Sequence, residues 1–321
     1  MTNSPHFSQS GLFQSWQKTL GRETRLLEVE NASGKLRGQA FCHKLPFGKC
    51  YWYMPHGPII EGKIDTSLLA KFKEVGEKLL KESNGLFLRF DLFPPQRDQK
   101  NLLKKIFFTA PFSAYQSFQP KYEWVVEING TEEEIFNSLP SRTRYFIRHA
   151  GKKGVRIRIV DKNLIASFAD FYSLMTITSK RNGFSLYPQK YYETILQTSE
   201  EAGQGFLVLA EYQDKVINGN FVLVSGNNAT FVFGGGSRDF KGLSEAYLGQ
   251  WAGMIEAKRL GATTYSLGGS APDNKIYKHW DSLQSYKQKF TGHLVEYDDF
   301  YDIVRQPFWY WLYNLRKKFK Y

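Results

Sequence analysis

The chain is poor in cysteine, has no long apolar run and carries fewer acids than bases, and each shortage removes a class of protein. Cys42 and Cys50 are its only cysteines, which rules out a disulfide-built scaffold and fits reduced thiols in a cytosolic protein. No histidine stands in metal-ligand spacing to them. The histidines themselves (His6, His43, His56, His149, His279 and His293) are scattered, so no metal centre, Cys–His pair or Ser–His–Asp set is expected. No apolar stretch approaches the ~20 residues that span a bilayer. The opening MTNSPHFSQSGL lacks the basic start and apolar core of a signal peptide. A cytoplasmic protein is expected, at most in peripheral contact with the inner face of the plasma membrane.

What is present is positive charge. Against 31 acids stand 43 bases, a formal net charge of +12, which favours an anionic partner such as RNA, a phosphorylated substrate or anionic lipid. Aromatics reach 16 %, a level that suits sugar or base stacking and equally suits thick aromatic cores. At 321 residues there is room for two domains.

The charge is concentrated in SRTRYFIRHAGKKGVRIR, Ser141 to Arg158. Arg142, Arg144, Arg148, Lys152, Lys153, Arg156 and Arg158 fall there with no carboxylate among them. Pro140 suits the first position of a helix, with Ser138 as its cap, and Gly151 and Gly154 end it before a strand. Arg144 and Arg148, four apart, share a helix face and can grip one polyanion. Tyr145, Phe146 and Ile147 are expected to anchor that helix to a core. A solvated basic face is the plain alternative.

Two stretches repeat one order: strand, turn, strand, strand, helix, strand. In the first, TRLLEVEN, LRGQAFCHKL and CYWYMPHGPII precede a helix from Thr66 to Glu82. Asp65 is its cap, and Leu68, Leu69, Phe72, Val75 and Leu79 lie at helical spacing. LFLRFDLF follows as a strand. In the second, GFLVLAEYQ, VINGNFVLVSG and NATFVFGG precede a helix from about Ser244 to Leu260, carrying Tyr247, Leu248, Trp251, Ile255 and Leu260 on one side. TTYSLGG is the strand after it. A duplicated α/β unit is implied. The order resembles the core of the GNAT acyltransferase fold. The loops PHGPIIEGK and GGGSRDFKGLS do not match the coenzyme A pyrophosphate loop of that fold; counted from Arg238, the first required glycine is Lys241.

The chain also resembles the Fem family of tRNA-dependent peptidyl transferases, which add amino acids to peptidoglycan precursors. The resemblance runs through FQSWQK, LPFGKCYWYMPHGP, FLRFD, FQPKYEWVVEI, LPSRTRYFIRHAGKKGVRIR, KRNGFSLYPQKYY, FVFGGGS, EAYLGQWAGMIEAKRLGATTYSLGG and YKQKFTGHLVEY. It implies an α/β protein of two tandem GNAT-like units: residues 1–139 on the acceptor side, completed by 296–321, and residues 140–295. The helical arm of many relatives is absent, since only about a dozen residues separate Tyr192 from GFLVLAE.

The resemblance further implies aminoacyl transfer with aminoacyl-tRNA as co-substrate and no cofactor. The acceptor is a peptidoglycan precursor, lipid-linked or UDP-linked, and the protein is expected to act as a monomer. Lys287 matches the lysine placed beside the aminoacyl ester, with Tyr286 before it; on an extended stretch Lys287 and Lys289 would simply share a solvated side. Asp91 matches an acid facing the acceptor, as proton acceptor or binding group, with a structural cap as its alternative. An ion pair between Asp91 and Arg89, two apart on one strand, is not expected. Lys18, Arg181 and Tyr191 fall near positions that hold the acceptor's diphosphate and sugar, although Tyr187 stands where some armless relatives have an arginine. The run Gly234–Gly236 offers backbone amides to a ligand or merely tight packing. The tail, RQPFWYWLYNLRKKFKY, reads as an interfacial basic helix or as the piece that completes the first unit's core. Two rivals remain: a GNAT-like N-acyltransferase with another donor, and a non-catalytic RNA- or membrane-binding protein.

Overall fold

The computed structural model describes residues 6–93, 96–111, 119–270 and 281–318, so His279 and Lys320 lie outside the described residues. The chain forms two units, Ser8–Lys121 with Glu296–Tyr321, and Met1–Phe7 with Tyr122–Val295.

The first unit opens with α1 (Gly11–Thr19), β1 (Thr24–Glu30), β2 (Gly34–Lys44), β3 (Cys50–Met54) and β4 (Ile59–Gly62). It continues through α2 (Thr66–Glu82), β5 (Gly85–Phe90), α3 (Lys100–Ile106) and β6 (Phe108–Thr109). The second holds β7 (Tyr122–Glu127), α4 (Glu132–Ser138), α5 (Ser141–Lys152), β8 (Arg156–Val160), α6 (Phe168–Asn182) and α7 (Gln189–Glu201). After these come β9 (Gly205–Tyr212), β10 (Lys215–Ser225), β11 (Asn228–Gly236), α8 (Glu245–Arg259), β12 (Thr264–Ser270), α9 (Asp281–Lys287) and β13 (His293–Glu296). The chain then returns to the first unit as β14 (Tyr301–Val304) and α10 (Pro307–Lys318).

The first sheet runs β1-β2-β3-β5-β14-β6, with β4 on the other half of β2. The stretch from Cys50 to Ile60 is therefore two strands and not one, because Pro55 and Pro58 lack the N–H groups a continuous ladder needs. Helix α2 has the expected bounds. Asp65 accepts from the Leu68 amide at 2.7 Å, and Leu68, Leu69 and Phe72 bury against Trp52, Leu88, Phe90 and Ile303.

The second sheet runs β13-β7-β12-β11-β10-β9-β8, around a core that includes Phe206, Trp251, Met254 and Tyr265. The division between units falls at Lys121–Tyr122, earlier in the chain than Pro140. Strand β7 pairs with β12, and Val126, Ile128, Ile135 and Leu139 enter the second core. Leu260, expected on the buried side of α8, lies beyond its last turn and is exposed.

Both units carry the repeated order, with a helix joining two parallel strands: α2 between β3 and β5, and α8 between β11 and β12. The two pairs differ at their ends. β3 and β5 stay paired to Met54↔Phe90. β11 and β12 pair with each other only over Asn228–Thr230 and Thr264–Ser266, and then each runs on paired only to its other neighbour.

Candidate functional site

The end of β12, where its pairing with β11 has stopped, carries a bulge against β7. Ser266 faces Val125 on β7, but Gly269 faces Glu123, so the register shifts between them. Gly268 sits in the bulge at φ +76°, a conformation that favours glycine. Its amide donates to Ser266 Oγ at 3.0 Å, and that hydroxyl donates to Glu123 Oε2 at 2.7 Å. Into this bulge comes Lys287, whose Nζ donates to the Gly269 carbonyl.

Lys287 is only 5 % exposed. Burial lowers its ammonium to about pKa 8, against the opposing pull of the Glu123 carboxylate. It does not lie on a strand: it ends α9, and Lys289 does not share its side. The helical period explains this, since Tyr286 and Phe290, four apart, both pack on Tyr247. Lys289 instead places its ammonium over the Tyr247 ring. Tyr286 is held by its hydroxyl, which donates to the Ala246 carbonyl at 2.9 Å, and burial raises its pKa well above the usual phenol range.

Arg181 and Tyr191 gather at the end of the neighbouring strand, β11. Arg181 donates to the Gly236 carbonyl at 2.7 Å, and burial, then the charge of Arg238, lowers its pKa. Tyr191 stacks on Tyr187 at 4.3 Å and meets Phe233 edge-on. Two guanidinium groups and exposed tyrosine faces make an arrangement suited to a phosphorylated ligand. The glycines beneath are there for packing: a Cβ on Gly235 would stand 2.5 Å from the Leu174 backbone.

The basic helix α5 belongs to the same unit, where Thr143 Oγ1 donates to the Lys289 carbonyl at 2.6 Å. Pro140 is its cap residue, not its first helical one, and Ser138 turns back to bond the Ile135 carbonyl within α4. Ile147 is buried and Phe146 half-buried, but Tyr145 is exposed and anchors nothing in the core. Arg144 donates to the Asn137 carbonyl at 3.1 Å, and Arg148 lies 4.8 Å over the Phe136 ring. Both arginines therefore brace α4 with part of their surface while leaving charge outward. Arg158 is committed to Glu211 at 2.6 Å.

Asp91 and Lys18 belong to the first unit. Asp91, just past β5, is buried and accepts from the Tyr53 hydroxyl at 2.9 Å and the His56 amide at 3.1 Å. His56 Nδ1 stands 2.7 Å from its other oxygen, and burial, with Asp91, holds the Tyr53 phenol above its usual pKa. Arg89 takes a different partner: Asp302 on β14 accepts from it at 2.8 and 2.6 Å. Lys18 is exposed in the last turn of α1. Glu123, Ser266 and His56 carry no functional signal in the sequence; their roles depend on a bulge and a buried turn that no local pattern reveals. Among the described residues, no group of side chains has the makings of a metal site.

The sequence profile of the FemAB family matches residues 106–213 and 204–318. The chain belongs to the FemAB family. The lipid II:glycine glycyltransferase of Staphylococcus epidermidis is 23 % identical over 265 residues, covering 63 % of this chain and 62 % of that protein. The Staphylococcus aureus protein of the same name is 23 % identical over 270 residues, with the same coverage. The chain thus spans less than two thirds of the length of these relatives. The crystal structure of FemX superposes with a TM-score of 0.82 at 18 % identity, over 97 % of this chain and 95 % of that one. A tandem GNAT protein from the clavulanic acid pathway superposes at 0.52 and 12 % identity, over 87 % and 82 %. Both likenesses concern the fold, two tandem GNAT-like units.

Proposed function

We propose that this FemAB protein is an aminoacyltransferase that moves an amino acid from aminoacyl-tRNA to an amine on the stem peptide of a peptidoglycan precursor. The observation that carries the reading is the buried ammonium of Lys287 in the glycine-lined bulge of β12. The two staphylococcal relatives, named for glycyl transfer to lipid II, support the acceptor class. In the reaction, the acceptor amine attacks the ester carbonyl carbon and a C–N bond forms. The carbonyl oxygen becomes an oxyanion, which the Lys287 ammonium stabilises. The ester C–O bond then breaks, the amine nitrogen loses a proton, and the departing tRNA ribose oxygen gains one to become a hydroxyl. The chemistry needs no cofactor or metal. Tyr286 fixes the end of α9, and Asp91 serves as a positioning residue for Tyr53 and His56. Arg181 and Tyr191 are assigned to the acceptor. The setting is the cytoplasm, at the inner face of the membrane when the acceptor is lipid-linked.

The sign of the pH dependence follows from Lys287. Its charged form is lost as pH rises through about 8, so transfer is expected to fall on that alkaline side. A wild-type rate that keeps rising beyond this limb, measured under saturating substrate, would point to a base and not to a stabilising charge. The residual rate of Lys287→Met is expected to lack the limb.

The basic helix is assigned to tRNA phosphates, with few side chains suited to reading bases. Reversing Arg144 and Arg148 together to Glu is expected to weaken tRNA binding and to lower the slope of log affinity against log salt by about two. Fluorescence titration at several salt concentrations reads both. Unchanged affinity and slope would confine the two arginines to their contacts with Asn137 and Phe136.

A further inference from the structure

The first unit presents an apolar surface that its own packing leaves outside. Helix α10 is held by its inner tyrosines. Tyr310 and Tyr313 lie 5.2 and 5.1 Å from the Phe87 ring, and the Tyr310 hydroxyl donates to Asp302 at 2.7 Å. These contacts fix the helix against rolling. Phe308, Trp311 and Leu312, at the spacing of one helical stripe, therefore face outward with 67, 58 and 39 % exposure. The sequence left open whether this segment completes a core or faces an interface; its tyrosines do the first and this stripe the second.

A second element, remote in sequence, joins the same surface. The β2–β3 hairpin closes through Leu45 N–H to the Lys49 carbonyl at 2.8 Å, with Phe47 at its tip. Phe47 is 84 % exposed and adopts φ +60°, a conformation unfavourable for a bulky side chain and ordinarily left to Gly or Asn. Nothing in the turn requires phenylalanine there. Its ring stands 6.3 Å from Trp309, and Lys49 places its ammonium over that same indole. The cleft between hairpin and helix is lined by residues including Leu45, Pro46, Leu86, Leu312, Lys49 and Arg316, with no carboxylate. No Asp or Glu follows Asp302 in the sequence, whose last residues include Lys317, Lys318 and Lys320.

We infer that the hairpin tip and the outer face of α10 form one membrane-docking surface for anionic lipid. Aromatic side chains enter the headgroup–acyl boundary, while cations at their rim meet lipid phosphates. Charge complementarity selects this occupant: exposed apolar knobs around a cleft that holds Lys49 and Arg316 and no carboxylate match an anionic bilayer. This goes beyond the proposed reaction, because it concerns a surface and not a site of chemistry.

The test mixes the intact protein with vesicles of phosphatidylcholine alone or with added phosphatidylglycerol, and measures co-sedimentation without any substrate. Wild type is expected to sediment with the anionic vesicles only, and to be released by salt. Phe47→Ser combined with Trp311→Ser is expected to lower the partition by about tenfold or more. Its thermal melting is expected to match wild type, since both side chains are exposed; Phe47→Ser alone, in a turn, provides a second variant with a weaker effect. Wild type left in the supernatant, equal binding to neutral vesicles, or undiminished binding by the folded double variant each overturns the inference. So does self-association of wild type through this surface without lipid binding. Because no transfer is measured, the outcome stands apart from whether the protein is an aminoacyltransferase.

Discussion

Lys287→Met is expected to give a folded protein whose transfer rate is lower by about a hundred- to a thousandfold, or about 2.7–4 kcal/mol of transition-state stabilisation. Methionine keeps the length and apolar stem of lysine and removes the charge. In the proposed reaction negative charge grows on the ester oxygen, and an ammonium already stripped of water interacts with it more strongly than a solvated one. The protein holds that ammonium 5 % exposed, at the cost of depressing its pKa. Substrate affinity is expected to change little, since the charge it meets is weaker in the ground state. Single-turnover measurement with charged tRNA separates the two quantities. Wild-type turnover in this variant would remove Lys287 from the chemistry, and failure to fold would make it a structural lysine.

The second large effect concerns stability. Asp302→Asn is expected to destabilise the first unit by about 3–5 kcal/mol, lowering its melting temperature by about 6–20 °C. Arg89 and Asp302 are 1 % and 0 % exposed, and their two-pronged pair joins β5 to the returning strand β14. Burial opposes the charge on Arg89, but Asp302 outweighs it and raises the guanidinium pKa above its ordinary value. Asparagine cannot neutralise that guanidinium, and it also weakens the bond from Tyr310. Replacing both partners, as Arg89→Met with Asp302→Leu, is expected to recover much of the loss, because no charge is then left buried alone. Calorimetry of the single and double variants checks this. An Asp302→Asn protein that melts with wild type would mean that the pair is not sealed from water.

The contrast between these two sites shows what could be read from the chain. Thr66–Glu82 was legible to its ends, because its cap and apolar period are local. The repeated strand–helix order was legible for the same reason. Strand reasoning also excluded Asp91 as the partner of Arg89. It could not supply Asp302, which lies 213 residues further along the chain. Strand β7 falls on the other side of the unit boundary from the one expected, because its partner β12 is also far along the chain, Thr264 pairing with Glu127. Lys287 was found through resemblance, but its helix was not, and its link to Glu123 depends on the bulge at Gly268. Phe47 carries no local signal within LPFGK, since exposure is a property of what fails to pack over a residue.

The central claim is the transfer itself. Purified protein is incubated with total charged tRNA and with a UDP-linked or lipid-linked peptidoglycan precursor, in parallel with acyl-coenzyme A as donor, and the precursor is weighed by mass spectrometry. The account predicts a precursor heavier by one or more aminoacyl residues, only when charged tRNA is present, and almost none with Lys287→Met. An unchanged precursor with every charged tRNA, or a gain in mass from acyl-coenzyme A instead, would contradict it.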